Sequence, residues 1–179
     1  MNCGKWKVNE VKKILSIIAA GMAITLLAGC VTNTLPKKLG PDDCLVIIKT
    51  DLVNKDSIRD ARAYKFNLTD KSPSWNLPQK TDSFVVIRIN RPDVSISEII
   101  SYLADISYVG PRAVYKVDIP LPYEPGKIII FDRSFVRTLT LVHAQSFNTS
   151  IAFDKMSEDE INKLTLRIKK LKGSDLWEW

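Results

Sequence analysis

The sequence predicts a mainly β protein: an antiparallel β-sandwich with an α-helix at its C-terminal end. Three observations lead to this prediction. Six or seven short apolar or alternating segments are separated by turn residues, the 179-residue chain has only 7 glycines, and one strongly amphipathic segment lies near its C-terminus. About 45% of the residues are hydrophobic, which is enough to form one sizeable core.

The strand predictions come from two patterns. Cys44–Thr50 is a run rich in β-branched and aliphatic residues, typical of a strand that is buried on both faces, and Phe84–Ile89 is a second strongly apolar strand. Ala63–Leu68 and Arg112–Ile119 alternate between apolar and polar residues, which is typical of strands with one buried face. Further strands are predicted at Ile128–Phe131, Phe135–His143 and Asn148–Phe153. The proline-containing stretches 70–81 and 120–127 cannot pair regularly, so they predict loops.

Residues 95–107 fit two structures. Ser95 and Glu98 have the spacing of a capping box, and the apolar residues that follow have the spacing of one helix face. That face comprises Ile96, Ile99, Ile100 and Leu103. Some of the same residues also fit the two-residue period of a strand. Of the two structures, the helix is favoured over the strand. An α+β fold with an additional helix near 95–107 is therefore the alternative to the mainly β fold.

The C-terminal helix is the clearest element. Ser157 and Glu160 again have capping-box spacing, and lysines cluster in the last turn, where they complement the helix dipole. The apolar stripe is formed by Ile161, Leu164, Ile168 and Leu171. Gly173 is well placed to end the helix.

The N-terminus has the layout of a secretory signal. Lys5, Lys7, Lys12 and Lys13 precede an uncharged stretch from Ile14 to Leu27, and the small residues Ala28 and Gly29 follow. A membrane-spanning helix needs about 20 apolar residues, and this stretch is shorter. A cleaved signal is therefore favoured over a permanent membrane anchor.

Cys30 directly follows this stretch, and Leu27-Ala28-Gly29-Cys30 resembles the lipobox of bacterial lipoproteins. The resemblance implies that the Cys30 thiol receives a diacylglyceryl group, that the chain is cut between Gly29 and Cys30, and that the new amine is acylated. Leu27, Ala28 and Gly29 would then be the signal-peptidase recognition residues, and the membrane would be bound through Cys30. The alternative is an ordinary cysteine beside an N-terminal transmembrane helix.

The lipobox also predicts the organisation and location of the chain. We expect a signal peptide over 1–29, a flexible tether over 30–41 and a single globular β-rich domain over 42–179. In well-studied lipoproteins Asp directly after the cysteine favours the inner membrane. Val31 occupies that position here, so the outer membrane of the bacterial cell envelope is favoured.

Charge and cysteine content narrow the possible partners. The net charge is +6, and loss of four lysines and one glutamate with the signal leaves about +3, too little and too dispersed to predict nucleic-acid binding. Of the 3 cysteines, the lipobox resemblance implies that Cys3 is removed and that Cys30 is lipidated, which would leave Cys44 without an intramolecular disulfide partner. We expect Cys44 to be a small buried hydrophobic residue.

Catalytic signals are weak. His143 is the only histidine, and neither a Gly-x-Ser-x-Gly nor a His-Glu-x-x-His motif is present. A zinc site of the common kinds is not predicted, because one histidine and no cysteine pair are available. No cofactor is predicted either. An enzyme is less expected than a binding protein, and a hydrolase using His143 is one alternative.

Aromatic residues in polar segments are the candidate binding residues: Trp75, Tyr123, Trp177 and Trp179. Exposed aromatic rings stack on sugars or anchor protein partners, although Trp177 and Trp179 could instead hold the C-terminal helix on the sheet. The favoured hypothesis is a non-enzymatic envelope module that binds another protein or an envelope polysaccharide. A carbohydrate-binding module is an alternative that predicts exposed, coplanar rings at Trp75 and Tyr123.

Overall fold

A computed structural model describes residues 34–54, 62–72, 75–77, 82–103, 111–143 and 146–179. These ranges all belong to one structural unit, Asn33–Trp179. They contain nine strands, one α-helix and a short 3₁₀ turn. The strands are β1 (Cys44–Asn54), β2 (Arg62–Leu68), β3 (Trp75–Asn76), β4 (Ser83–Ile89), β5 (Ser95–Leu103), β6 (Pro111–Pro120), β7 (Ile128–Ile130), β8 (Arg133–His143) and β9 (Ser146–Lys155). The helix α1 is Glu158–Lys169, and the 3₁₀ turn is Ser174–Leu176.

The strands form two sheets. In sheet I the order is β4-β1-β8-β9, and β7 also pairs with β1; in sheet II the order is β3-β2-β5-β6. Most pairs are antiparallel, whereas β1 runs parallel to both β7 and β8. The predicted mainly β architecture, a β-sandwich with a C-terminal helix, is therefore confirmed.

The main core lies between the two sheets. Its centre is a cluster of aromatic rings in which Phe135 lies 5.3 Å from Phe66 and 5.4 Å from Phe153, measured between ring centroids and in edge-to-face orientations. Phe66 and Phe135 are both fully buried. Edge-to-face geometry is favourable because the positive edge of one ring meets the negative face of another, so these residues hold sheet II on sheet I.

The helix α1 packs on the outer face of sheet I. Leu164 and Ile168 contact a second core formed with Leu45, Ile47 and Phe84. Thus β1 is apolar on both faces, because its alternate residues enter different cores. The predicted capping box is present: the Glu160 backbone N–H donates to Ser157 Oγ, and the Glu160 carboxylate accepts from the Ser157 backbone N–H.

The favoured prediction of a helix near 95–107 is wrong. Residues Ser95–Leu103 form strand β5, between β2 and β6, and 104–107 lie outside the described residues. Glu98 does not cap a helix; its carboxylate accepts a hydrogen bond from Asn67 Nδ2 at 2.9 Å. The register of β2 against β5 shifts at Ser97, because Asn67 pairs with Glu98 while Leu68 pairs with Ile96. This bulge places Ile96 and Ile99, three residues apart, in the same core.

The predicted tether over 30–41 also needs correction. Residues 30–33 lie outside the described residues, but from Thr34 onwards the segment belongs to the folded domain. Leu35 is only 2% exposed, and its backbone N–H donates to the Lys172 carbonyl at 2.9 Å. One buried leucine among polar residues and prolines gives no periodic signal, so composition alone indicated a free linker here.

Candidate functional site

The residues of the predicted lipidation site lie outside the described residues. Leu27, Ala28, Gly29 and Cys30 all precede Thr34, the first residue that the structure describes. In the part of the chain that is described, no helix is long and apolar enough to cross a membrane. The structure does describe how the chain enters the domain four residues after Cys30.

The entry and exit of the domain are bound together in an arrangement that we call the terminal clasp, formed by residues 34–39 and 172–179. Thr34 forms a parallel bridge with Lys172, and Trp177 Nε1 donates to the Pro36 carbonyl at 3.1 Å. Gly173 makes the turn after α1 possible because its φ of 87° is unfavourable for other residues. The first residues of the domain are therefore fixed beside the C-terminal end of α1.

The C-terminal tail is held on sheet I by a second set of backbone hydrogen bonds. Ile128 N–H donates to the Glu178 carbonyl at 2.8 Å, and Glu178 N–H donates to the Gly126 carbonyl at 3.1 Å. Gly126 has a φ of 80°, a conformation that glycine adopts without strain in the turn at Pro125-Gly126. The clasp is thus continuous with β7, and through β7 with the central strand β1.

Two of the candidate aromatic residues belong to the clasp. Trp177 is buried, at 5% exposure, and packs with Leu35 in the core under α1. Trp179 is 40% exposed, and the Lys169 ammonium lies 5.0 Å from its ring centroid. Trp177 therefore holds the C-terminal tail against the domain, as the second of the two hypotheses for these tryptophans expected. Trp179, by contrast, keeps a large exposed surface.

The other two candidate aromatic residues pack against the main core. Trp75 lies in the short strand β3 and Tyr123 in the loop before β7, and both are partly buried against the inter-sheet core. The Tyr123 hydroxyl donates to the Asp42 carbonyl at 3.0 Å. Both rings are thus partly occupied by packing, which is a different environment from the exposed, coplanar platform expected of a sugar-binding site.

His143 is the last residue of β8, and its backbone pairs with Ser146 at the end of the β8–β9 hairpin. Its side chain lies outside what the structure describes. Cys44, by contrast, is fully buried and has no disulfide. Burial raises the pKa of its thiol, so the reactive thiolate form is disfavoured.

Charged side chains meet where the N-terminal half of α1 lies on sheet I. Lys49 Nζ is 2.9 Å from both Asp51 Oδ2 and Glu160 Oε1. Hydrogen bonding to the Ser157 backbone, followed by the contact with Lys49, lowers the pKa of Glu160 to about 2. Burial lowers the pKa of Lys49, but its hydrogen bonds to Asp51 and Glu160 outweigh this effect and leave the pKa raised.

Two clefts flank these charges. The smaller, of about 110 Å³, is lined by Lys49, Asp82, Glu160, Lys163, Leu164 and Arg167. The larger, of about 340 Å³, is lined by Asp51, Leu52, Val53, Ser134, Val136, Asp154, Lys155 and Glu160. Within the described ranges, no group of three or more His, Cys, Asp or Glu side chains is arranged to hold a metal ion. The charged groups instead join α1 to sheet I, since Arg167 Nη1 also donates to the Asp82 carbonyl at 2.7 Å.

Two features were missed by sequence reasoning. Arg137 is 1% exposed, and its guanidinium lies 5.0 Å from the Tyr64 ring centroid inside the sandwich. Its position between Phe135 and Leu139 in an alternating strand could have indicated this burial. The second feature is a concentration of exposed lysines around the terminal clasp. No sequence signal could have revealed it, because these lysines come from two ends of the domain.

No protein-family model matches the sequence, and no curated protein matches it with significant similarity.

Proposed function

We propose that this chain is a lipid-anchored protein of the bacterial cell envelope, attached to the membrane through Cys30. The observation that carries the proposal is Leu27-Ala28-Gly29-Cys30 at the end of a basic and then apolar N-terminal segment. A signal-peptidase groove accepts small residues before the cleavage site, and the cysteine thiolate is the nucleophile that takes the lipid. Two or three acyl chains give stable anchoring, since each buried CH₂ contributes about 0.8 kcal/mol.

The folded domain is proposed to act as a non-enzymatic binding or structural module. Five of the charged residues in the two clefts pair with one another: Lys49 with Asp51 and Glu160, and Arg167 with Asp82. The pairs that Glu160 and Arg167 form join α1 to sheet I, a structural task that accounts for them without a substrate. The partly buried rings of Trp75 and Tyr123 support this function better than a carbohydrate-binding module.

The surface that supports a binding role is the outer face of β8 and β9 together with the end of β1. Among the described residues, α1 packs on β1, β4 and β7, whereas Val53 on β1 and Val142 on β8 are 41% and 46% exposed. Both lie on the outer face, since Val53 pairs with Thr138 and Val142 follows Thr138 by four residues in the same strand. Exposed apolar residues that lie near one another are typical of protein contact surfaces. We therefore place the contact with an envelope protein on this side of the domain.

The anchor is tested by intact mass and membrane fractionation of the protein expressed in a bacterium. We expect the wild type to begin at Cys30, to carry acyl mass and to fractionate with membranes. Cys30→Ala should lose the acyl mass, whereas the control Cys44→Ala should keep it. A wild type that retains residues 1–29 without acyl mass would show instead that the segment is a membrane-spanning anchor.

The membrane location is tested by Val31→Asp. If the outer membrane is the destination of the wild type, this substitution should move the lipidated protein to inner-membrane fractions in a density gradient. The control Val31→Thr should not move it. A wild type found in inner-membrane fractions from the start would contradict the proposed location while leaving the lipid anchor intact.

The binding surface is tested with a photoreactive residue at Thr138, on the outer face of sheet I, and at Lys116, on the outer face of sheet II. A discrete cross-linked product from position 138 that Val53→Asp abolishes is the expected result. Equal products from both positions, or products that Val53→Asp does not change, would count against a specific contact there.

A further inference from the structure

We infer that the face of the domain around the terminal clasp lies directly on the anionic lipid headgroups of the membrane, and this inference rests on the proposed lipid anchor at Cys30. We call this surface the anchor face and define it by Lys37, Lys169, Lys170, Lys172, Leu176 and Trp179. All six residues are exposed. The contact would be a second membrane attachment, made by protein side chains in addition to the lipid.

The length of chain between the lipid and the domain carries the first part of the argument. Thr34 is fixed to Lys172, and Leu35 is buried beneath α1. Only four peptide units connect Cys30 with Thr34, and a fully extended chain spans at most about 3.6 Å per residue. Cys30 in the interface therefore holds Thr34, and with it the bridge to Lys172, within about 14 Å of the bilayer surface, slightly more than the diameter of one helix.

The charge of the anchor face also favours contact with anionic lipid. Lys37, Lys169, Lys170 and Lys172 are all exposed, and Arg88 lies beside Lys37, because its Nη1 donates to the Lys37 carbonyl at 3.4 Å. Asp175 and Glu178 are the acidic residues in the adjoining tail, and they are fewer than the basic residues around it. Positive charge therefore predominates at the point that the anchor brings to the membrane.

The exposed apolar residues of the anchor face favour membrane contact as well. Leu176 is 50% exposed and Trp179 is 40% exposed, and both belong to the tail that forms the clasp. Leu176 lies next to the chain entry, since a Cβ at Gly173 would be 3.9 Å from Leu176 Cδ1 and 3.4 Å from the Leu35 carbonyl. Tryptophan and lysine favour the interface between water and lipid, where apolar ring and stem face lipid and the polar ends remain hydrated.

Helix-dipole stabilisation also favours lysines in the last turn of α1, and it accounts for Lys169 without a membrane. It does not account for Lys37 and Lys172, which lie outside the helix, or for the exposure of Leu176 and Trp179. Clustering of these residues at the one point where a short linker attaches the domain to lipid is what favours membrane contact.

The test uses the full lipidated protein reconstituted into vesicles, with a nitroxide on Leu176→Cys or on Val114→Cys. Val114 is the matched control because it is 47% exposed but lies on the outer face of sheet II. The label attaches only to the introduced cysteine, since Cys30 is acylated and Cys44 is fully buried. In vesicles of phosphatidylethanolamine and phosphatidylglycerol, position 176 should be shielded from a water-soluble relaxation agent and position 114 should not.

Charge dependence is tested with Lys169→Gln, Lys170→Gln and Lys172→Gln combined. Each basic residue near an anionic surface contributes a roughly fivefold change in the binding constant, so the ratio of docked to undocked domains should fall by about a hundredfold. Lys71→Gln, Lys116→Gln and Lys155→Gln together make the same change in charge on other surfaces and should have little effect. Raised salt should also release the wild-type domain.

The outcomes separate this inference from the lipid anchor. If mass spectrometry of the same sample shows acylated Cys30 but positions 176 and 114 are equally accessible, the anchor face is refuted and the lipoprotein assignment stands. Shielding of position 176 in native envelopes but not in pure lipid vesicles would show that a protein covers this face, and would also refute it. If Cys30 carries no acyl mass, both proposals fail together.

Discussion

Replacing Leu35 by alanine tests whether the segment after the lipidation site is part of the fold. Leu35 is 2% exposed and packs with Ile168 and Trp177 in the core under α1. A buried Leu→Ala substitution costs about 2–4 kcal/mol, because transfer free energy is lost and a cavity is left behind. For a domain of this size, this cost corresponds to a fall in Tm of roughly 5–12 °C.

The matched control is Leu39→Ala, because Leu39 lies four residues later in the same segment and is 75% exposed. A surface substitution of this kind changes stability by less than about 0.5 kcal/mol. Urea unfolding of the two variants in the same mild detergent, followed by circular dichroism, measures the difference. Equal and small effects of both substitutions would show that residues 34–39 form a free tether, and the reach argument for the anchor face would then fail.

Three further predictions concern α1, the clasp and the buried thiol. The pKa of Glu160 falls from 4.5 to about 2 on folding, so its stabilisation is complete above the unfolded pKa and is lost as pH falls through about 2. Glu160→Gln should therefore cost about 1 kcal/mol at pH 7, after discounting for solvent screening, and should cost almost nothing near pH 2 in acid-unfolding measurements. Gly173→Ala should lower stability by about 1–2 kcal/mol because φ is 87° there, whereas Gly40→Ala, with open space around the Cβ, should change it little; thermal unfolding distinguishes the two, and equal losses would contradict the backbone argument. Native Cys44 should react with a thiol reagent only as fast as the domain unfolds, because it is fully buried and burial raises its pKa; rapid labelling of the folded protein at pH 8 would disprove this.

The sequence predicted the structure correctly where the local residue pattern matches the burial of the same residues. Cys44–Thr50 was predicted to be buried on both faces, and Cys44–Ile48 and Thr50 are indeed buried, with one face toward sheet II and the other toward α1. The capping box at Ser157 was readable because it depends on four consecutive residues. Pairing partners were not readable: the parallel register of Thr50 with Phe135 joins segments 85 residues apart, and no local pattern encodes such a distance.

The candidate site was much less predictable than the fold. Lys37 and Lys172 are 135 residues apart in the chain, and only the bridge between Thr34 and Lys172 brings them to one surface. Trp177 and Trp179 are separated by one residue, yet one is buried and the other exposed. Their environments follow from how the tail packs after Gly173, which depends on tertiary contacts with Leu35 and Gly126.

Strand β5 shows how a local irregularity can imitate a helix. In a regular strand, residues three apart point to opposite faces, so Ile96 and Ile99 could not share a core. The bulge at Ser97 removes one residue from the alternation, and both isoleucines then enter the core between the sheets. The resulting spacing of three equals the i, i+3 spacing of a helix face. The polar residues were equally ambiguous in the sequence. Glu98 lies three residues after Ser95, which matches a capping box, but in the structure its carboxylate binds Asn67 on the neighbouring strand. A bulge is held by its partner strands, so only the positions of β2 and β6 decide between the two structures.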